Sequence, residues 1–276
     1  MATSLALPEY KTPPLVEVAC GVQFAPIKEL LVPHFGLLWE LYRAEYPKCM
    51  QAPPLARVVE RFTDNEGGAV QNVGVLAFDP IPPLPRIWFI HDTDTAVIQV
   101  QTDRFLYNWR RVPDADYPRY GQVVQAFDKH FSTFTRFLHE YEFGPPIPSQ
   151  FELTYVNHIP QGMGWKVLGD IGNVFPDLGW RPSRGRYLPD PDEISWKLSS
   201  LLPSGDTRLH ATVGRMMLDQ TKPPLLTFEL TARGFGGDSS DMAREAWFNR
   251  AHEAIVHAFA DLTSDVVQEQ VWGRLR

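Results

Sequence analysis

Asn108-Trp109-Arg110-Arg111 brings two guanidinium groups, an amide and an indole together at the exit of an apolar run. A planar guanidinium suits a carboxylate or phosphate, and an indole offers a stacking face. Neighbouring residues on an extended chain point to opposite sides, which puts Asn108 and Arg110 on one face and Trp109 and Arg111 on the other. The arginines then either pair with an acid such as Glu17 or Glu152 while Trp109 fills the core, or remain free for a ligand. Asn157, in Tyr155-Val156-Asn157, is a further candidate for a polar pocket with Asn108 and Arg110. Arg181, Arg184 and Arg186 form a second basic group in a Gly/Pro-rich loop, with the same two readings.

Other constellations carry less chemistry. His252 and His257 are five residues apart, about 140° around a helix, whereas a two-histidine zinc helix needs a spacing of about four. Both are expected to be solvated polar positions. Gly234-Phe235-Gly236-Gly237-Asp238-Ser239 lacks the third glycine of a dinucleotide fingerprint, and its acids would repel a pyrophosphate. It reads as a turn capped by Ser239 or Ser240. Asp190-Pro191-Asp192-Glu193 lacks calcium-loop spacing. The chain has no phosphate-binding P-loop motif and no nucleophile elbow. Cys20 and Cys49, without C-x-x-C spacing, are expected to be buried small apolar groups. No metal and no cofactor are expected.

The elements that must position these residues follow from hydrophobic period. Arg86–Arg111 reads as two strands around the turn His91-Asp92-Thr93-Asp94, the second running on through Phe105 to Arg111. In 15–24, Val16, Val18, Cys20, Val22 and Phe24 form a wholly apolar strand face. Strands are also expected at 57–62, 69–78, 151–159, 208–218 and 225–233, with 194–202 left between strand and short helix. Helices are expected at 32–46, 119–142, 240–262 and 265–272. In the second of these, Phe127, Phe131, Phe134 and Leu138 recur at steps of three and four and should lie across a sheet.

Strands in runs followed by a helix predict an α+β fold of two similar halves, each an antiparallel β-sheet backed by a long amphipathic helix. A flexible leader is expected over 1–12, an N-terminal half over 13–143 and a C-terminal half over 149–276, making one compact unit. The boundary falls at Gly144-Pro145-Pro146-Ile147-Pro148.

The 276 residues are 44% hydrophobic and 21% charged, which is globular composition, and a net charge of −7 argues against general nucleic-acid binding. No stretch approaches the roughly 18 apolar residues of a membrane helix. The start, MATSLALPEYK, lacks the basic and long apolar regions of a secretory signal. A soluble cytoplasmic protein is expected.

Pro13-Pro14-Leu15-Val16-Glu17, Gly36-Leu37-Leu38-Trp39, Tyr46-Pro47, Gln101-Thr102-Asp103-Arg104-Phe105 leading into Asn108-Trp109-Arg110, Tyr155-Val156-Asn157 and Trp272-Gly273 span almost the whole chain. Together they resemble a sporadically distributed prokaryotic family of about this length with no assigned activity. The resemblance implies one full-length architecture and no catalytic residues, and its patchy distribution implies a mobile or defence-related gene context. The expected function is that of a non-enzymatic protein recognising a protein partner or a small anionic ligand. The alternatives are an enzyme with a polar pocket near Asn108, Arg110 and Asn157, and a nucleic-acid binder using a local arginine patch.

Overall fold

The structure is a computed structural model that describes residues 6–62, 84–113, 115–180, 187–217, 223–235 and 238–276. The N-terminal part contains β1 (Leu15–Phe24), α1 (Val32–Glu40), β2 (Lys48–Ala52), β3 (Arg86–Ile90), β4 (Ala96–Gln101), β5 (Arg104–Arg110) and α2 (Arg119–Glu140). Then come β6 (Pro148–Pro160), two short 3-10 turns, β7 (Ser195–Leu201), β8 (Thr207–Met216), β9 (Leu225–Gly234), α3 (Asp241–Leu262) and α4 (Asp265–Gln270).

The nine strands among the described residues join one antiparallel sheet in the order β2-β3-β4-β5-β1-β6-β9-β8-β7. The α+β class holds, but two separate sheets do not form. The first strand of each half pairs with the other, Val18 opposite Tyr155 and Cys20 opposite Leu153, so the sheet runs unbroken across the Pro-rich boundary. Each first strand also pairs with the last strand of its own half, β1 with β5 and β6 with β9.

The long helices cover one face. On β1 the alternating residues Val18, Cys20, Val22 and Phe24 are fully buried, as their period predicts. Phe105 of β5 stacks on Phe134 of α2 at 5.3 Å, and Phe151 of β6 meets Phe248 of α3 at 6.0 Å. Phe127, Phe131, Phe134 and Leu138 all lie in this core. Ser240 caps α3, its hydroxyl accepting from the Ala243 amide at 3.1 Å.

Several elements differ from expectation for local reasons. The long second strand of the opening hairpin is broken at Thr102-Asp103, where the chain reverses into β5 and Gln101 faces Arg104. Val97, Gln99 and Gln101 nevertheless keep the alternation read from the sequence. After Glu40, α1 tightens into turns that still bury Tyr42 and Tyr46. Residues 57–62, expected as a strand, form none of the sheet's described strands; with 53–56 they cross, as a strap, the face on which no described helix packs, the helix-free face below. Cys20 is buried as expected, but Cys49 is exposed on the edge strand β2. Residues 9–12, read as a loose leader, instead pair with the C-terminal segment. The Lys11 and Thr12 amides donate to Gly273 and Trp272, and the buried Tyr10 donates its hydroxyl to Gln268 Oε1 at 2.9 Å. The expected strand at 69–78, Gly236-Gly237 and the residues 218–222 between the expected strands at 208–218 and 225–233 lie outside the described residues.

Candidate functional site

Alternation sends the residues singled out in the sequence to two different sides of the sheet. Asn108 and Arg110 share the helix-free face. Asn108 Nδ2 donates to Glu17 Oε1, and Gln99 Nε2 donates to Asn108 Oδ1 at 2.7 Å. Arg110 Nε lies 3.9 Å from Glu17 Oε2, and its guanidinium sits 4.9 Å over the Trp88 ring. Trp109, on the other face, is 4% exposed in the core. Glu17, one of the two acids named for pairing, thus stands beside Arg110, but at a distance long for an ion pair. Arg111 is exposed, with a weak 3.4 Å hydrogen bond from Nη2 to the Pro13 carbonyl. Arg181, Arg184 and Arg186 lie outside the described residues.

Asn157 points the other way. It stands on the side of Tyr155 that faces the helices and donates Nδ2 to the Phe228 carbonyl at 3.1 Å. The sheet lies between it and the Asn108–Arg110 pair, so a pocket shared by all three does not form.

What Asn157 does line is a cavity of about 560 Å³ between the start of α2, the middle of α3 and strands β1, β6 and β9. Its walls are apolar, from Leu15, Leu230, Ile255 and Phe259, and the segment Leu7–Tyr10 roofs it. Strand β6 and helix α3 bring Tyr155 and His252 together: the Tyr155 hydroxyl lies 2.8 Å from His252 Nδ1. The Tyr120 ring, from the first turn of α2, stacks flat on the imidazole, 3.9 Å between centroids and 4° between planes. Tyr120 donates its hydroxyl to Asn249 Oδ1 at 3.2 Å, and Tyr117 completes the polar side.

Burial sets the protonation of this group. It lowers the His252 pKa to about 4 and raises that of Tyr117 to about 12; Tyr155 and Tyr120 are likewise raised, again chiefly by burial. At neutral pH the imidazole and the three phenols are therefore uncharged. A general acid or base works best with a pKa near the operating pH. These groups are displaced away from it and are suited to holding hydrogen bonds rather than moving protons.

At the mouth, Arg119 is the first residue of α2 and adopts a left-handed backbone, φ 69°, a conformation disfavoured for a residue with a side chain. It makes no ion pair among the described residues. Arg276, across the opening, is bound to Glu9 at 2.6 Å.

His252 is therefore not the solvated position expected from its spacing. Tyr120 lies at helical spacing with the aromatic stripe of α2 that reads as core, and Tyr155 and His252 are 97 residues apart. Only the pairing of β6 under α3 joins them. Among the described residues, no three His, Cys, Asp or Glu side chains are grouped to hold a metal ion. No helix among them is long and apolar enough to cross a membrane. No protein-family model, curated protein or solved structure matches the chain.

Proposed function

We propose that the protein is a non-enzymatic binding protein whose helix-side cavity takes a small ligand with an apolar or aromatic body and an anionic end. The observation that carries this reading is the cavity itself. Apolar walls with a few convergent polar groups are the usual make-up of a small-molecule site, and about 560 Å³ lies within the ordinary size range. The uncharged Tyr155, His252 and Asn157 orient the body by hydrogen bonds. Arg119, without an acid of its own among the described residues, meets the anion at the mouth. The enzymatic alternative is disfavoured because burial moves His252 and the three phenols of the cavity away from proton exchange near neutral pH.

The proposal extends to origin and setting. Two halves with the order strand, insert, antiparallel strands and long helix are consistent with a duplication, and the cavity lies at the seam between them. By the resemblance of its motifs, we infer that the chain shares the setting of that sporadic prokaryotic family, cytoplasmic and in a mobile or defence-related gene context.

Calorimetry with 2-naphthoate and its neutral counterpart 2-naphthylmethanol tests the binding site. One-to-one binding of 2-naphthoate is expected, abolished by Val256→Trp, which fills the cavity. Tyr155→Phe should weaken both probes by about tenfold, equivalent to ~1.4 kcal/mol. Arg119→Ala should weaken only the carboxylate. If neither probe binds, or if Val256→Trp leaves binding intact, the reading is wrong.

A further inference from the structure

We propose that the helix-free face of the sheet is a docking groove for an extended, acidic peptide segment of another protein, and that the strap at 55–60 is its internal occupant. The strap is held mainly through its backbone, by side chains of the sheet. Gln101 Nε2 donates to the Leu55 carbonyl at 3.0 Å while its Oε1 accepts from the Leu55 amide at 2.9 Å, closing a ring on one residue. Gln150 repeats the device, donating to the Val58 carbonyl and accepting from the Glu60 amide, both at 2.9 Å. Between them, Arg104 Nη2 donates to the Ala56 carbonyl at 3.1 Å. A primary amide that both donates and accepts imitates a neighbouring strand, so these clamps read the extended backbone without regard to sequence.

One strap side chain is read specifically. The Glu60 carboxylate, 3% exposed, lies 3.1 Å from Arg208 Nε and 2.7 Å from His210 Nε2. His210 is itself steadied through Nδ1 by the Ser199 hydroxyl at 2.8 Å. The other strap side chains contribute little anchoring, since Leu55, Arg57, Val58 and Val59 are only half-buried and Ala56 is exposed.

The internal occupant also fits imperfectly. Gln23, 2% exposed, lies on the same face between Arg104 and Gln150, and among the described residues neither atom of its amide has a hydrogen-bond partner. Gln99 Oε1 and the Nε of the buried Arg104 are likewise unpartnered. Buried polar groups are normally satisfied, and unmet ones are costly. A groove that clamps any extended backbone, selects one acid and leaves hydrogen-bonding capacity unused under its own strap is built for exchange. The partner's chemistry follows from the anchor: an extended segment carrying Glu or Asp where Glu60 now sits.

The test uses the full chain and a fluorescent peptide copying residues 53–62, PPLARVVERF, followed by anisotropy. Glu60→Gln, nearly isosteric, loosens the strap and should bind the peptide at least tenfold more tightly than the unchanged chain. Replacing the peptide's Glu by Gln should cost tenfold or more. Adding Gln150→Ala to the Glu60→Gln chain should remove binding while far-ultraviolet circular dichroism shows that the chain stays folded. On an array of randomised decapeptides, the unchanged chain should retain those with Glu or Asp at one fixed position. No peptide binding, or binding indifferent to both the peptide's Glu and Gln150, would overturn the proposal. So would an array without an acidic preference, which would make the strap purely structural. Strap exchange between two copies, seen as dimers of Glu60→Gln by light scattering, would replace the partner protein with a second copy of this chain.

Discussion

Two histidines are held neutral by burial, and this gives stability a pH dependence of known sign. His130 packs beside Tyr42 and against Tyr107, with its Nε2 3.0 Å from the Tyr46 hydroxyl, and its pKa is lowered to about 4, as is that of His252. In the unfolded chain both return to about 6.5. Below that value the unfolded state binds protons that the folded state refuses. Stability should therefore be complete above pH ~6.5 and fall as the pH drops toward 4. The loss is on the order of 2–3 kcal/mol for the buried His130 and less for the partly exposed His252. Urea midpoints measured from pH 7.5 to 4.5 check this, and His252→Phe, which keeps the ring stack on Tyr120, should show a shallower decline. An equal slope would mean that His252 is not held neutral. Arg110 gives a second prediction at this scale. Its 3.9 Å approach to Glu17 is long and its side chain is 29% exposed, leaving the stack on Trp88 as its main contact. Arg110→Ala should cost about 1 kcal/mol. Its 2-naphthoate affinity should be unchanged, because the sheet separates Arg110 from the cavity. A loss of affinity would place the binding site on the wrong face.

At the scale of elements, α2 was the most legible, because its period is written in large apolar residues. Phe131 lies between Phe105 at 5.5 Å and Phe127 at 5.6 Å, 6% exposed. Phe131→Ala should cost about 3–5 kcal/mol in urea unfolding. A loss below ~1 kcal/mol would mean that the helix does not seat on the sheet as described. β1 was equally plain, since a two-residue period with one wholly apolar face admits one orientation. Less legible were the elements whose residues answer to distant partners. Thr102-Asp103 continues the alternation of β4 and gives no glycine or proline signal, yet the chain turns there. Residues 57–62 have the composition of a strand, but the side-chain amide of Gln150 occupies hydrogen bonds of Val58 and Glu60 that a neighbouring strand would make. The same limit applies to the cavity. Asn157 was singled out, but its companions Tyr155, His252 and Tyr120 come together only once β6, α2 and α3 are packed, and no local spacing encodes that meeting.

At the scale of the whole molecule, the seam between β1 and β6 makes the two halves interdependent. β1 is hydrogen-bonded on both edges, by β5 and by β6. Above the seam, Phe127 of α2 meets Phe248 of α3 at 5.2 Å, and Arg244 binds Asp128 at 2.9 Å. Separating the halves would bare the edge of a ten-residue apolar strand, which is both an energetic cost and a template for aggregation. The chain should therefore unfold as one cooperative unit, and its two cysteines provide the probe. Cys49 is exposed on the edge strand β2, whereas Cys20 is fully buried in β1 at the seam. With a thiol reagent in rising urea, Cys49 should react without denaturant. Cys20 should become reactive only at the midpoint at which far-ultraviolet circular dichroism is lost, as two-state unfolding requires. Reaction of Cys20 at markedly lower urea than the loss of secondary structure would show that the seam opens first and that the halves fold as separate units.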